Sequence, residues 1–297
     1  MEKYEIIDIH YPDFKVYEEN LEKLKNTDFN NSSVSNIYHR FHDLALTIPG
    51  LGGKLLHKEF KREKLYRVRM DSSMAKTENI SNVNTFSFPP KEFCKFNGRA
   101  NLKHKPVFYC TDDIFPSIKE CKPKIGEFGY ISLWQVDADK DLSYATCLPE
   151  KLPSKNRWRE YGIFHHNFLI ENHSKVDKKT LKYRLSLRDF ITNRFMQENE
   201  PYSISSMLAH EYLYMNRTDI LLYPSVQTLQ DYTNFAIHPR VAENYLKCLK
   251  VLRFKITKDL GEQFKLIFSL IGTPSGNKIN WQKATDEDIS KFGFNKS

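Results

Sequence analysis

The sequence predicts an α+β fold. Short apolar stretches of strand character recur with helices between them, and no regular strand–helix–strand alternation runs along the chain. There is also no G-x-G-x-x-G turn, the mark of a doubly wound dinucleotide-binding sheet.

Residues 1–60 read as a helical extension. Asp13 can cap a helix that carries Tyr17, Leu21 and Leu24 on one face. After the polar turn Asn30–Ser33, a second helix carries Val34, Ile37, Tyr38, Phe41, Leu44 and Ala45, and Pro49-Gly50 ends it. Each helix has one apolar stripe, so the pair is expected to pack on the main domain or on another subunit. The glycines around Lys54 suggest a phosphate loop. That motif needs a glycine where Ile48 stands and a hydroxyl where Leu55 stands, so a turn between helices is expected instead.

Leu65–Met70 alternates apolar and polar residues and reads as a strand whose Arg67 and Arg69 share a face. From Phe96 to Glu120 the chain passes through a Gly98-Arg99 turn, a short strand at Val107–Cys110, and a helix ending near Glu120. Tyr130–Val136 is a further strand. Between about 137 and 200 the pattern breaks at Pro149, Pro153 and many lysines, and an irregular or mixed insertion is expected. Ile204–Leu213 reads as a helix, Thr218–Tyr223 as a buried strand, and Val241–Lys250 as a short helix or helix-to-strand junction. Two strands, Cys248–Ile256 and Gln263–Ile271, precede a turn at Pro274–Asn277 and the stretch Ile279–Trp281. The expected organisation is a helical extension (1–60), a core (61–240) with an insertion at about 137–200, and C-terminal strands (241–297) packed on the core.

Of 297 residues, 40% are hydrophobic, enough for a substantial core. The net charge of +8 comes from lysines scattered along the chain, without the basic block that nucleic-acid binding would favour. It suits a solvated surface or an acidic small molecule. Cys94, Cys110, Cys121, Cys147 and Cys248 form no C-x-x-C pair, and their odd number suggests reduced thiols in a cytosol. Met1–Tyr4 lead into mixed sequence and no apolar stretch reaches membrane-spanning length, so a cytoplasmic protein with no membrane partner is expected. His165-His166 lack further ligands, and His210-Glu211 lacks a second histidine because Tyr214 occupies its place, so no metal is expected.

Several blocks in series resemble the RES-domain family, named for an arginine, a glutamate and a serine. They are Tyr66-Arg67, then Gly98-Arg99-Ala100-Asn101, then Tyr109 at a strand end with Glu120 in the next helix, then Tyr223-Pro224-Ser225-Val226 followed by Asn234. Order and rough spacing agree from about Lys64 to Pro239; the helical extension and the C-terminal strands lie outside the match. The resemblance implies a fold like that of ADP-ribosyltransferases, a bent, split β-core holding NAD in its cleft. It implies NAD as substrate and, as in many members, a toxin checked by a separate antitoxin. A homo-oligomer stays open.

The residue types suit that chemistry. Nicotinamide leaves NAD as a neutral base, so cleavage needs stabilisation of an oxocarbenium-like ribosyl cation rather than a general acid. Glu120 is the candidate carboxylate, with Tyr109 and Arg67 as the other catalytic candidates. Arg67 suits the pyrophosphate through paired hydrogen bonds. Arg99 is a second phosphate ligand or a brace for the Gly98 turn. Tyr109 would stack on the nicotinamide ring or hydrogen-bond a ribose. Ser225 would orient the ribose or the carboxamide, and Asn234 would tie a loop at the binding site. Arg69 reads as a neighbouring salt-bridge partner. The expected activity is hydrolysis, phosphorolysis or ADP-ribosyl transfer at the nicotinamide–ribose bond. The alternative is a non-catalytic nucleotide- or partner-binding protein on the same fold.

Overall fold

The structure, a computed structural model, describes residues 9–50, 52–61, 63–176 and 178–294, with the side chains of 172–178 outside the description. The expectation for Met1–Tyr4 therefore lies outside the described residues. In chain order the elements are α1 (Phe14–Asn26), α2 (Val34–Ala45), β1 (Gly52–Leu55), α3 (His57–Phe60), β2 (Lys64–Met70), β3 (Phe108–Thr111), α4 (Ile114–Glu120) and β4 (Phe128–Val136). They continue with β5 (Leu142–Thr146), α5 (Arg159–Val176), α6 (Lys178–Gln197), α7 (Ser203–His210), β6 (Ile220–Pro224), β7 (Thr233–Ile237) and α8 (Pro239–Tyr245). Last come β8 (Leu246–Asp259), β9 (Phe264–Ser275), β10 (Lys278–Lys283) and α9 (Asp286–Phe292).

The described strands form one ten-stranded sheet in the order β1-β5-β6-β7-β3-β2-β4-β8-β9-β10. All pairs are antiparallel except β5–β6. The architecture is the expected α+β one, with helices flanking the sheet. Leu65, Phe108, Trp134, Leu222 and Phe235 pack on one face. Tyr223, Leu221 and Ala236 face the other way, under α1, α2, α6 and α7.

The sheet is weakest at its centre. β2 pairs with β4 along its whole length, yet with β3 only through Tyr66 and Thr111. β3 in turn pairs with β7 from Phe108 to Thr111. The sheet thus opens between β2 and β3, and the backbone on either side of the opening needs other partners.

The N-terminal helices follow from their caps and stripes. The Asp13 carboxylate accepts from Lys15 N (2.9 Å), and Ser33 Oγ accepts from Asn36 N (3.2 Å). The buried stripe of α1 meets α2 and α6: Tyr17 donates to the Ala45 carbonyl (3.0 Å) and Tyr183 to the Pro12 carbonyl (2.8 Å).

One expectation is corrected and another is narrowed. The glycine-rich stretch after Pro49 is not a turn between helices but leads into edge strand β1, paired with β5. A Cβ on Gly52 would lie 2.4 Å from the Tyr144 carbonyl oxygen, so close strand approach explains the glycine there. Of the two readings of the stretch after Asp137, irregular or mixed, the mixed one holds: β5 is followed by a helical hairpin, α5–α6. Helix α6 buries Tyr183, Leu187, Phe190, Ile191 and Phe195 at helical spacing, but also Arg188, Thr192 and Arg194. Those polar residues inside the stripe hide its period. Arg188 NH2 donates to the carbonyls of Leu148 and Gly162, both at 3.0 Å, pinning the hairpin to the strand that precedes it. Beyond the expected C-terminal strands lies α9, closed by a capping box between Thr285 and Asp288.

Gly162 sits where α5 crosses the chain at Pro149, and a Cβ there would come 2.1 Å from the Pro149 carbonyl oxygen. Gly162→Ala is therefore expected to destabilise the protein by about 1–3 kcal/mol, the usual range for overpacking, seen as a lower urea midpoint. An unchanged midpoint would show that α5 can shift freely.

Candidate active site

The opening between β2 and β3 widens into a cleft of about 430 Å³. Its floor is the sheet, one wall is the C-terminal end of α4, and another is the link from α6 to α7. The volume falls in the range that holds small molecules and cofactors.

Helix α4 sets the first wall. Asp113 caps it, its carboxylate accepting from Phe115 N (2.8 Å). Ser117 Oγ donates to the Tyr66 carbonyl (2.9 Å), which fastens the helix to β2 at the last paired residue before the opening. Glu120, the final residue of α4, is thereby held over the cleft, half-buried. Its Oε1 accepts from Ser225 Oγ (2.6 Å) and from Asn234 Nδ2 (2.9 Å). Ser225 follows β6 and Asn234 lies within β7, paired with Tyr223 and Thr111. Both donors converge on one oxygen, leaving Oε2 without a partner among the described residues.

Arg67 occupies the opening itself. Its NH1 donates to the Tyr109 carbonyl (3.0 Å), so a side chain takes a backbone acceptor that no β2 ladder bond reaches. The guanidinium lies 5.6 Å from the centre of the Phe108 ring, a cation–π distance. Its Nε is buried and has no partner among the described residues. Burial first, and Arg69 second, lower its pKa to about 10, which keeps it charged at neutral pH.

Tyr109 presents its ring to the cleft while its hydroxyl both donates and accepts within the protein. The hydroxyl donates to Asn101 Oδ1 and accepts from Ala100 N, both at 2.9 Å, and so holds the Gly98–Asn101 turn. The ring lines the cleft, and the hydroxyl has no further proton to give a ligand. A Cβ on Gly98 would lie 2.4 Å from Asn101 Oδ1 and 2.9 Å from the Tyr109 hydroxyl, so a larger residue there would push apart the hydrogen-bonded pair that holds the turn. Arg99 reaches the other way: NH1 donates to the Phe195 carbonyl (2.9 Å), and its guanidinium carbon lies 4.8 Å from the Tyr202 ring centre.

The structure thus brings Arg67, Arg99, Tyr109, Glu120 and Asn234 to one cleft. Ser225 is fully buried behind Glu120 and does not line it. Asn234 ties no loop; its backbone is strand. Arg69 turns away to Glu78 and to the carbonyls of Thr85 (2.6 Å) and Ser73 (3.3 Å). Sequence reasoning missed Tyr223 and Tyr202. Tyr223 is buried among Tyr109, Glu120 and Arg99, its pKa pushed far up by burial, and its place in the Tyr-Pro-Ser block was the available signal. Tyr202 had no local signal. Among the described residues no cluster of histidine, cysteine and carboxylate groups could hold a metal, and no helix is long and apolar enough to cross a membrane.

No protein-family model matches the chain, and no curated protein matches it either. Among solved structures, the M. tuberculosis MbcT–MbcA toxin–antitoxin complex contains a similar chain, at 10% identity and a TM-score of 0.30. The match covers 69% of this chain and 83% of that one. A superposition this loose carries no argument about activity.

Next to the cleft, Asp112 is buried, with Oδ2 accepting from Trp158 Nε1 (2.8 Å) and Oδ1 without a hydrogen-bond partner among the described residues. Burial raises its pKa from 3.8 to about 6, against the opposing pull of Trp158 and Arg157. The folded state holds this proton more tightly than the unfolded chain. Its contribution to stability is therefore complete below about pH 4 and lost as pH rises through about 6. Asp112→Asn keeps an acceptor for Trp158 and removes the titration. The variant should gain stability over the wild type between pH 4 and pH 7, on the order of 3 kcal/mol. Parallel wild-type and variant urea curves over that interval would refute the assignment.

Proposed function

We propose that this protein breaks the bond between nicotinamide and ribose in NAD. One observation carries the reading: a carboxylate fixed by Ser225 and Asn234 faces a cleft that also holds two arginines. Glu120 Oε2, left free, suits the ribose 2-hydroxyl and the positive charge that develops on the ribose as nicotinamide departs. A carboxylate whose geometry is set before substrate arrives needs no reorganisation in the transition state. Arg67, with only NH1 engaged by protein, keeps donors for the pyrophosphate, and Arg99 adds a second charge. The Tyr109 ring serves as a stacking face.

Ser225 acts through Glu120 in this scheme, since its hydroxyl is spent on the carboxylate. The serial match to the RES-domain blocks supports the same substrate, and adds a toxin role with a separate antitoxin as partner.

Purified protein incubated with NAD, with and without phosphate, tests the reading by its products. ADP-ribose identifies water as acceptor, ADP-ribose 1''-phosphate identifies phosphate, and labelled protein identifies transfer. Intact NAD would overturn the reading. Glu120→Gln keeps size and removes charge, so NAD affinity should change little while turnover drops roughly 10²–10³-fold. Near wild-type turnover in that variant would deprive Glu120 of a catalytic role. Arg67→Lys retains charge but loses the planar fork, and NAD affinity should fall about tenfold with the fold intact. Equal affinity in a titration calorimetry comparison would shift the phosphate role to Arg99.

A further inference from the structure

The link between α6 and α7 is built with unusual care for a connecting segment. Glu198 caps α7 with both carboxylate oxygens, Oε1 accepting from Ile204 N (2.8 Å) and Oε2 from Ser205 N (2.7 Å). Tyr202 N donates to the Asn199 carbonyl (3.0 Å), and Ser206 N to the Tyr202 carbonyl (3.0 Å). Between these anchors Tyr202 adopts a left-handed backbone, φ 55° and ψ 43°, at the N-cap of α7. Glycine or asparagine would adopt this conformation more easily than an aromatic residue.

The Tyr202 ring borders the cleft. It lies in the cleft wall at 4.8 Å from the Arg99 guanidinium carbon, while the carbonyl of Phe195, one turn before the link, accepts from Arg99 NH1. Arg99 thus reaches from the Gly98 turn across the cleft and is gripped from the helical hairpin by a ring face and a carbonyl. A free arginine loses rotamer entropy on binding an anion; one stacked and hydrogen-bonded beforehand loses less.

We infer that Tyr202 is a positioning residue that presets Arg99 as the second ligand for the pyrophosphate of a dinucleotide. The inference rests on the reading of the cleft as an NAD site. It also gives the α5–α6 hairpin a role in the site: the hairpin carries the clamp that faces the sheet.

ADP, which carries the pyrophosphate without nicotinamide, is the probe, and its affinity is measured by titration calorimetry beside NAD turnover. Tyr202→Leu keeps an apolar side chain without a π face, and Tyr202→Phe keeps the face. The leucine variant should bind ADP about tenfold more weakly and show a matching rise in KM for NAD, with kcat within about twofold. The phenylalanine variant should match the wild type in both. Equal ADP affinity in the leucine and phenylalanine variants would overturn the inference, because packing alone would then account for Tyr202. So would a wild type that does not bind ADP. If NAD is not consumed but the ADP pattern holds, the clamp stands and the NAD-cleaving reading falls.

Discussion

The cleft depends on the opening between β2 and β3. A continuous ladder there would join the two halves of the sheet and leave no space among its central strands. Pairing instead stops after Tyr66 and Thr111, and the Tyr109 carbonyl takes its hydrogen bond from the Arg67 guanidinium. An unmet buried carbonyl costs about 1–3 kcal/mol, so a side chain able to bridge the gap is needed once the strands part. Arg67 meets that need and, in doing so, places a positive charge in the opening.

Around the opening, side chains are fixed by bonds made among themselves. Ser117 ties α4 to β2, Ser225 and Asn234 fix Glu120, and Tyr109 holds the Gly98–Asn101 turn from which Arg99 projects. Each bond spends a donor or acceptor that would otherwise be available to a ligand. Among the groups left to a ligand are one glutamate oxygen, the remaining nitrogens of two arginines, and aromatic faces. Preorganisation of this kind favours a charged transition state over a flexible ground state.

The helical layer is part of the same design. Helices α1 and α2 pack on α6 and α7, and α6 is pinned by the buried Arg188 to the carbonyls of Leu148 and Gly162. The link at the end of the hairpin holds Tyr202 in a left-handed backbone. Removing support from α6 would reach the cleft through that link rather than through the sheet.

Much of the fold was legible because its signals are local. Asp13 and Ser33 are caps followed by single apolar stripes, and β2 and β4 alternate or run apolar over short spans. The sequence also pointed to Arg67, Tyr109 and Glu120 through serial blocks that resemble the RES-domain family, and the three line one cleft. It could not reveal α6 as a helix, since Arg188, Thr192 and Arg194 interrupt the stripe and are buried only because partners lie outside the helix. Nor could it foresee that Ser225, 105 residues from Glu120, would spend its hydroxyl on that carboxylate, or that Tyr202 would stack on Arg99. Caps and periodicity are properties of neighbours along the chain. Which donor meets which acceptor is decided by strand order and by how the central strands part, and only the tertiary structure sets those.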